Sequence, residues 1–434
     1  MTKKTPLFGL LWLVYFTSNL GRLSYTASMI AIIDSNVLGI AAAGLVGTGF
    51  FVCYGMGQLG SGYIGGRLNP HRLIFIGLFC TAFANLAMGF AQTAAAMLVI
   101  WCINGLIQSI LWPPVLRIIV ESFVEPERSK VCFNISTTYP VAVMFAYLTC
   151  AGIITVLSWR AVFFFYSIVL LAVSGIWVFA FGKTIFTAGH ESGKPAGEAV
   201  SLILKNEGKL AEEIRSLPKK EKLKFFAGKY APGAAIVLFC LALVSQGILR
   251  DGLMAWIPAY ITRVFSFPTG RAILVAGIIP PINLLGIYLC RVLFARIKDE
   301  AKTSACFFGA SLLAILLLRF FGEYHISLSL FAFAVIIACM MGINLMFVTF
   351  APARFSSFGL VAFMTGLTNS MVYVGSSISN FGIAVIVENA GWSLLLTLLA
   401  VLAMASILFC ALAIPKWAAF SGSIEKKETE VAGR

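Results

Sequence analysis

The sequence predicts an all-α membrane protein, with twelve transmembrane helices in two pseudo-symmetric six-helix bundles. Three observations lead there. The 434-residue chain is 60% hydrophobic and 12% charged, about half the charged share of an ordinary soluble domain. Apolar runs of about 20 residues, enough to cross a hydrocarbon core as a helix, recur from end to end. Landmarks in the first half also return in the second at similar offsets. Trp159 and Trp392 are 233 positions apart, the Gly62-x-x-x-x-Arg67 and Gly286-x-x-x-x-Arg291 motifs 224, and Arg22 and Arg250 228.

The predicted spans are 7–33, 40–66, 72–92, 94–121, 131–157 and 160–182, then 233–262, 270–297, 303–321, 326–350, 358–387 and 393–415. The runs are continuous, which excludes the alternating ten-residue strands of a membrane β-barrel. The first run is too long for a signal-peptide core and has no clear small-residue cleavage site, so it reads as a retained helix. Residues 183–232 form the only long polar segment, with 10 Lys/Arg and 6 Asp/Glu. They divide the spans six and six. The expected organisation is a bundle over 1–182, a linker over 183–232, a second bundle over 233–415 and a tail over 416–434. Within the linker, 199–214 has the composition of a surface amphipathic helix or of a solvated connection.

Positive residues set the orientation. One side of the membrane collects both termini, the linker, Arg67, Arg72, Arg128, Lys130, Arg291, Arg296, Lys298, Lys302 and Arg354; the other holds Arg160, Arg263, Arg271 and Arg319. Lys and Arg mark the cytoplasmic face. Both termini are therefore expected inside, in a multi-pass protein of the cell inner membrane. The net charge of +14 is topological, and no nucleic-acid partner is expected.

Enzyme chemistry finds no support. The ten cysteines fall in apolar runs without a CxxC pair, and the three histidines (His71, His190, His325) lie in loops or at helix ends. This excludes a zinc or disulfide framework, so no metal or cofactor is expected. No nucleophile–base pair or phosphate-cradling Gly loop occurs.

The sharpest signal is Arg22 and Arg250, each near the middle of an apolar span. A cation at that depth costs about 2.5–3.5 kcal/mol on insertion scales, and such residues usually serve a ligand or ion pathway. Parallel repeats place a site between the two halves near the midplane, and the arginines sit at similar depth in equivalent spans. Guanidinium forks suit phosphate and carboxylate bidentately. The competing reading, an arginine bonded to carbonyls of an unwound turn, is weaker for a symmetric pair than for either alone. Asp251 is adjacent to Arg250. Successive helical residues point about 100° apart, so the two are not expected to face one another, and Asp251 is a candidate proton carrier. Arg117, near the end of span four, is expected to have a gate or structural role. Asn104, Gln108, Asn369 and Asn380 are candidate interhelical hydrogen-bond partners.

Several motifs resemble the major facilitator superfamily and, within it, the organophosphate:phosphate antiporter family. These are Tyr15-x6-Arg22; Tyr54-Gly55 followed by Gly62-Tyr-Ile-Gly-Gly66-Arg67-Leu-Asn69-Pro70-His-Arg72; Asn104-Gly-Leu-Ile-Gln108 with Trp112-Pro113-Pro114-x-x-Arg117 and Glu127-Arg128; Leu249-Arg250-Asp-Gly252-Leu-x-x-Trp256-x-Pro258-x-Tyr260; and Tyr373-Val-Gly375-Ser-Ser377. The resemblance implies that Arg22 and Arg250 bind phosphate and that Tyr15, Tyr54 and Tyr373 line the cavity. Tyr139 stands where the family has a histidine. Other departures are Leu23 and Gln58 in place of lysines, Gly66 in place of an aspartate, and Ala255 in place of an acid.

The expected function is a secondary transporter that exchanges organic anions, phosphate esters against inorganic phosphate, by alternating access. It is expected to work as a monomer. An empty cavity with two unpaired cations would resist closing, which favours exchange over leak. Two alternatives stand beside it: a proton-coupled carrier of a carboxylate, sulfonate or phosphonate, and a transporter-like membrane sensor.

Overall fold

The computed structural model describes residues 4–123, 127, 131, 134–135, 137–186, 232–355 and 361–432. Among these residues there is helix and no strand. The proposed amphipathic segment 199–214, Arg128, Lys130, Cys132 and His190 lie outside them. The nine described cysteines are free thiols.

The first half contains α1 (Lys4–Asp34), α2 (Ile40–Arg67), α3 (Pro70–Phe90), α4 (Ala94–Ser109), α5 (Trp112–Ser122), α6 (Thr138–Val156) and α7 (Trp159–Phe186). The second contains α8 (Gly233–Gly247), a π-helical turn (Ile248–Gly252), α9 (Leu253–Phe265), α10 (Thr269–Ala276), α11 (Ile279–Ile297), α12 (Glu300–Phe321) and α13 (Ile326–Asn344). A second π turn (Leu345–Phe350), the short α14 (Ala351–Ala353) and α15 (Val361–Ala432) complete it.

Local chemistry explains the boundaries. The Asn69 side chain accepts from the His71 and Arg72 amides ahead of Pro70, Thr93 caps α4, and Asp299 caps α12. Each cap satisfies amide groups that a helix start leaves unpaired. Pro113-Pro114 follows the break at 110–111, Pro280-Pro281 the break at 277–278, and Pro352 the second π turn. Proline lacks an amide hydrogen and clashes with the preceding turn, so helices restart there. The spans read from hydropathy thus contain interruptions that hydropathy does not register.

Ten described stretches are long and apolar enough to cross a membrane. One of them, Met364–Gly422, is 59 residues long. At about 1.5 Å per residue that is nearly three times the ~30 Å hydrocarbon core, and the helix is broken at Gly391, where φ is +74°. α1 falls outside the ten. Its buried Thr17, Ser18, Asn19, Ser24 and Ser28 account for its lower apolarity.

α8 and α15 touch backbone to backbone. A Cβ at Gly247 would collide with the Val372 carbonyl, and one at Gly375 with the Val244 carbonyl. Small residues let membrane helices approach this closely. Contacts between the halves include Thr48 Oγ1 donating to the Ser377 carbonyl (2.6 Å), Tyr147 donating to the Met254 carbonyl (2.9 Å), and Thr269 donating to Asp34.

Candidate functional site

α1 runs unbroken past Arg22 and is held by polar side chains from α3 and α4. Asn85 Nδ2 donates to the Gly21 carbonyl (3.0 Å), Gln108 Nε2 to the Ser18 carbonyl (2.9 Å), and Ser24 donates to Asn85 Oδ1 (2.7 Å). Asn104 Nδ2 reaches the Gly21 carbonyl at 3.5 Å. Asn104 and Gln108 are thus interhelical partners as expected, Asn85 joins them unanticipated, and Asn380 instead donates to the Ser376 carbonyl of its own helix. The amides of α3 and α4 fix α1 from behind and leave Arg22 facing the opposite half.

The Arg22 guanidinium lies among five aromatic rings. Its central carbon is 5.1 Å from the Tyr54 ring centre, 5.6 Å from Phe51, 5.7 Å from Phe50, 5.7 Å from Tyr139 and 6.0 Å from Tyr373. A cation over an aromatic face gains about 0.5–2 kcal/mol, so several rings together offset much of the cost of its depth. No carboxylate forms an ion pair with Arg22 among the described residues. α2 supplies Phe50, Phe51 and Tyr54 from one face, α6 supplies Tyr139, and α15 supplies Tyr373, whose ring centre is 4.7 Å from that of Tyr54.

Arg250 lies in the first π turn, and here the sequence expectation is corrected. Its Nε and Nη2 donate to the two carboxylate oxygens of Asp251 at 2.8 and 2.9 Å. The 100° argument assumed an α-helix. The wider π turn, an insertion often found at functional sites, and the long arginine side chain let neighbours form a side-on fork. Ser376 Oγ on α15 donates to Asp251 Oδ2 at 2.6 Å. The premise of two unpaired cations is corrected with it: Arg250 already has an anion, and Arg22 does not.

Arg22, Tyr139 and Asp251 line one small cavity of about 20 Å³ with Phe50, Phe51 and Met254, room for about one water. Among the sequence candidates, the structure therefore gathers Arg22, Tyr54, Tyr139, Tyr373 and the Arg250–Asp251 pair. Tyr15 packs on Trp112, with ring centres 4.8 Å apart. Phe50, Phe51 and Ser376 were missed. The i, i+1, i+4 spacing of Phe50, Phe51 and Tyr54 was legible as one helical face. Ser376 lies inside the Tyr373-Val-Gly375-Ser-Ser377 motif, but its partner could not be read there, because that depends on how α8 meets α15. Arg117 donates to Glu121 (2.8 Å) and to the Leu68 carbonyl (3.1 Å), a staple for the turn between α2 and α3.

Membrane-length helices with half-buried arginines at their centre define a polytopic membrane protein. Residues 11–380 match the family model of the Major Facilitator Superfamily, and the chain belongs to that family. It is similar to a probable hexose phosphate transport protein of Chlamydia trachomatis, 24% identical over 95% of this chain and 90% of the relative. It is also similar to the glycerol-3-phosphate transporter of Bacillus subtilis, 26% identical over 52% of this chain and 50% of the relative. These relatives bear out the resemblance to organophosphate transporters read from the motifs. The fold matches a solved bacterial homologue of the human lysosomal transporter Spinster, with TM-score 0.67, 14% identity and 98% of each chain covered.

Proposed function

We propose that the protein exchanges organic anions across the inner membrane, phosphate esters against inorganic phosphate, by alternating access. Arg22 and Arg250 take the anionic head group, and Tyr54, Tyr139 and Tyr373 shape its pocket, with Tyr15 as a further wall. In this reading α15 contributes two crossings, giving twelve in two six-helix bundles over 1–182 and 233–415. The linker and both termini are cytoplasmic, and the working unit is a monomer.

One observation carries the reading: Arg22 is a central, half-buried guanidinium that aromatic rings hold without neutralising it. A cation moved into a closed, low-dielectric interior retains a desolvation penalty of several kcal/mol unless it is paired. A bound phosphate would supply the missing charge and both acceptor oxygens of a bidentate contact. The loaded carrier then closes more readily than the empty one, which favours exchange. The organophosphate-transporting relatives support phosphate esters over other organic anions.

Counterflow in proteoliposomes tests this. Labelled inorganic phosphate should accumulate against trapped glycerol 3-phosphate or hexose 6-phosphate. Arg22→Lys and Arg250→Lys should each cut the rate about 30-fold, because lysine keeps the charge but not the two-point fork, and a lost charge-assisted hydrogen bond costs about 2 kcal/mol. Unchanged counterflow in either variant refutes the assignment. A thermal-shift panel of phosphate, phosphate esters, phosphonates, sulfonates and carboxylates would rank head groups, since a ligand above its Kd stabilises the folded state.

A further inference from the structure

The site is already half-neutralised by one of its own side chains, and this bears on which charge state of the ligand it takes. Arg250 is paired side-on with Asp251, whose carboxylate also accepts from Ser376. Arg22 lies among aromatic rings and makes no ion pair among the described residues, with Asp251 across the same cavity. Around the cavity that Arg22 and Asp251 share, two guanidiniums and one carboxylate leave a single net positive charge.

We infer that Asp251 is a tethered counter-anion of Arg250, which a dianionic head group displaces and which is then protonated, so that the site loads one net negative charge per ligand. This rests on the proposed anion site. A monoanion neutralises Arg22 and leaves the Arg250–Asp251 pair intact. A dianion long enough to engage both arginines must take the fork that Asp251 occupies. The freed carboxylate would then be a second anion in a closed interior, where unpaired charges are strongly disfavoured. One proton from the solution on the open side, taken onto a carboxylate oxygen of Asp251, restores neutrality. It leaves to the solution when the ligand departs and Arg250 returns to its neighbour.

Among the described residues the surroundings offer no better proton acceptor. Arg250 flanks Asp251 on the π turn, Arg22 and Tyr139 face it across the cavity from α1 and α6, and Ser376 contacts it from α15, which also carries Tyr373 over Arg22. α13, which also packs on the π turn, has no charged residue between Ile326 and Asn344, and its one thiol is Cys339. α8 has no charged residue, and the one charged residue of α9, Arg263, is near that helix's far end.

Sulfate and methanesulfonate separate the alternatives, because both are tetrahedral and neither changes charge between about pH 6 and 8, well above their acid range. Their binding to the purified full-length protein is measured by calorimetry or thermal shift. The expected result is that sulfate affinity falls about tenfold per pH unit, the slope for one proton taken up on binding, while methanesulfonate affinity stays flat. In Asp251→Asn, sulfate should bind without pH dependence, and the sulfate-to-methanesulfonate preference should rise at least about tenfold, since a competing anion has gone. Ser376→Ala, a milder change, should strengthen sulfate binding a few-fold and keep the pH slope.

A pH-independent sulfate affinity in the unaltered protein overturns the inference. An unchanged slope in Asp251→Asn also overturns it. If Asp251→Asn does not fold, the slope in the unaltered protein and the Ser376→Ala result decide. If the unaltered protein binds neither anion, the anion site itself is refuted and the role of Asp251 falls with it.

Discussion

Tyr147 donates its hydroxyl hydrogen to the carbonyl of Met254 at 2.9 Å. Met254 is four residues before Pro258, which lies inside α9. Proline has no amide hydrogen to return to that carbonyl. A side chain from α6 fills the gap, so a helix irregularity in the second half is satisfied by the first.

The first prediction is a coupling between these positions. Tyr147→Phe should destabilise the fold by about 1 kcal/mol, the cost of a buried acceptor left without its donor. In a Pro258→Ala background the restored amide can bond Met254, and the same change should cost close to nothing. Unfolding in detergent, followed by circular dichroism, measures the cycle. Equal costs in the two backgrounds would show that the hydroxyl does not replace the missing amide.

The second concerns the contact between α8 and α15. Gly375→Leu adds a side chain where even a Cβ meets the Val244 carbonyl. Overpacking of this kind costs about 1–3 kcal/mol or more. Because this contact also sets Tyr373 over Arg22, the variant should lose both melting temperature and anion binding. Gly366→Leu, on the same helix but with open space around it, should lose neither by a comparable amount.

The third concerns the rings. Tyr54→Phe retains the aromatic face over Arg22, and Tyr54→Leu removes it. The loss of one face is about 0.5–2 kcal/mol, so phosphate affinity should fall about 2- to 30-fold in the leucine variant. It should fall less in the phenylalanine variant. Isothermal titration distinguishes this order from one in which the hydroxyl group dominates and both variants weaken equally.

Much of the fold was legible because a membrane imposes length and apolarity on whole segments. The positions of α2, α3, α12 and α13 followed from those runs, and the caps at Asn69 and Asp299 suit the observed starts. The interruptions were less legible. Pro113-Pro114 and Pro280-Pro281 stand where helices restart, but the first π turn leaves no mark in hydropathy, and it brings Asp251 onto Arg250. The site was readable to the extent that it is built from costly residues. Two arginines at mid-span are conspicuous, as is a tyrosine in an apolar wall. Phe50 and Phe51 are ordinary residues of a membrane helix, and only the approach of α1 to α2 gives them a cation to hold. Ser376 likewise acquires its role from the glycine contact between two distant segments.

Gly391 interrupts α15 with one residue in a left-handed backbone conformation. Glycine is the residue most tolerant of such a conformation, so the arm bearing Tyr373 and Ser376 and the arm bearing Trp417 meet at a permissive joint. The second arm is anchored on its own, where the Trp417 indole donates to Glu300, which also pairs with Arg354. The consequence is a division of labour: an exchange of partners at Arg250 can be taken up at the joint while Trp417 keeps its mooring.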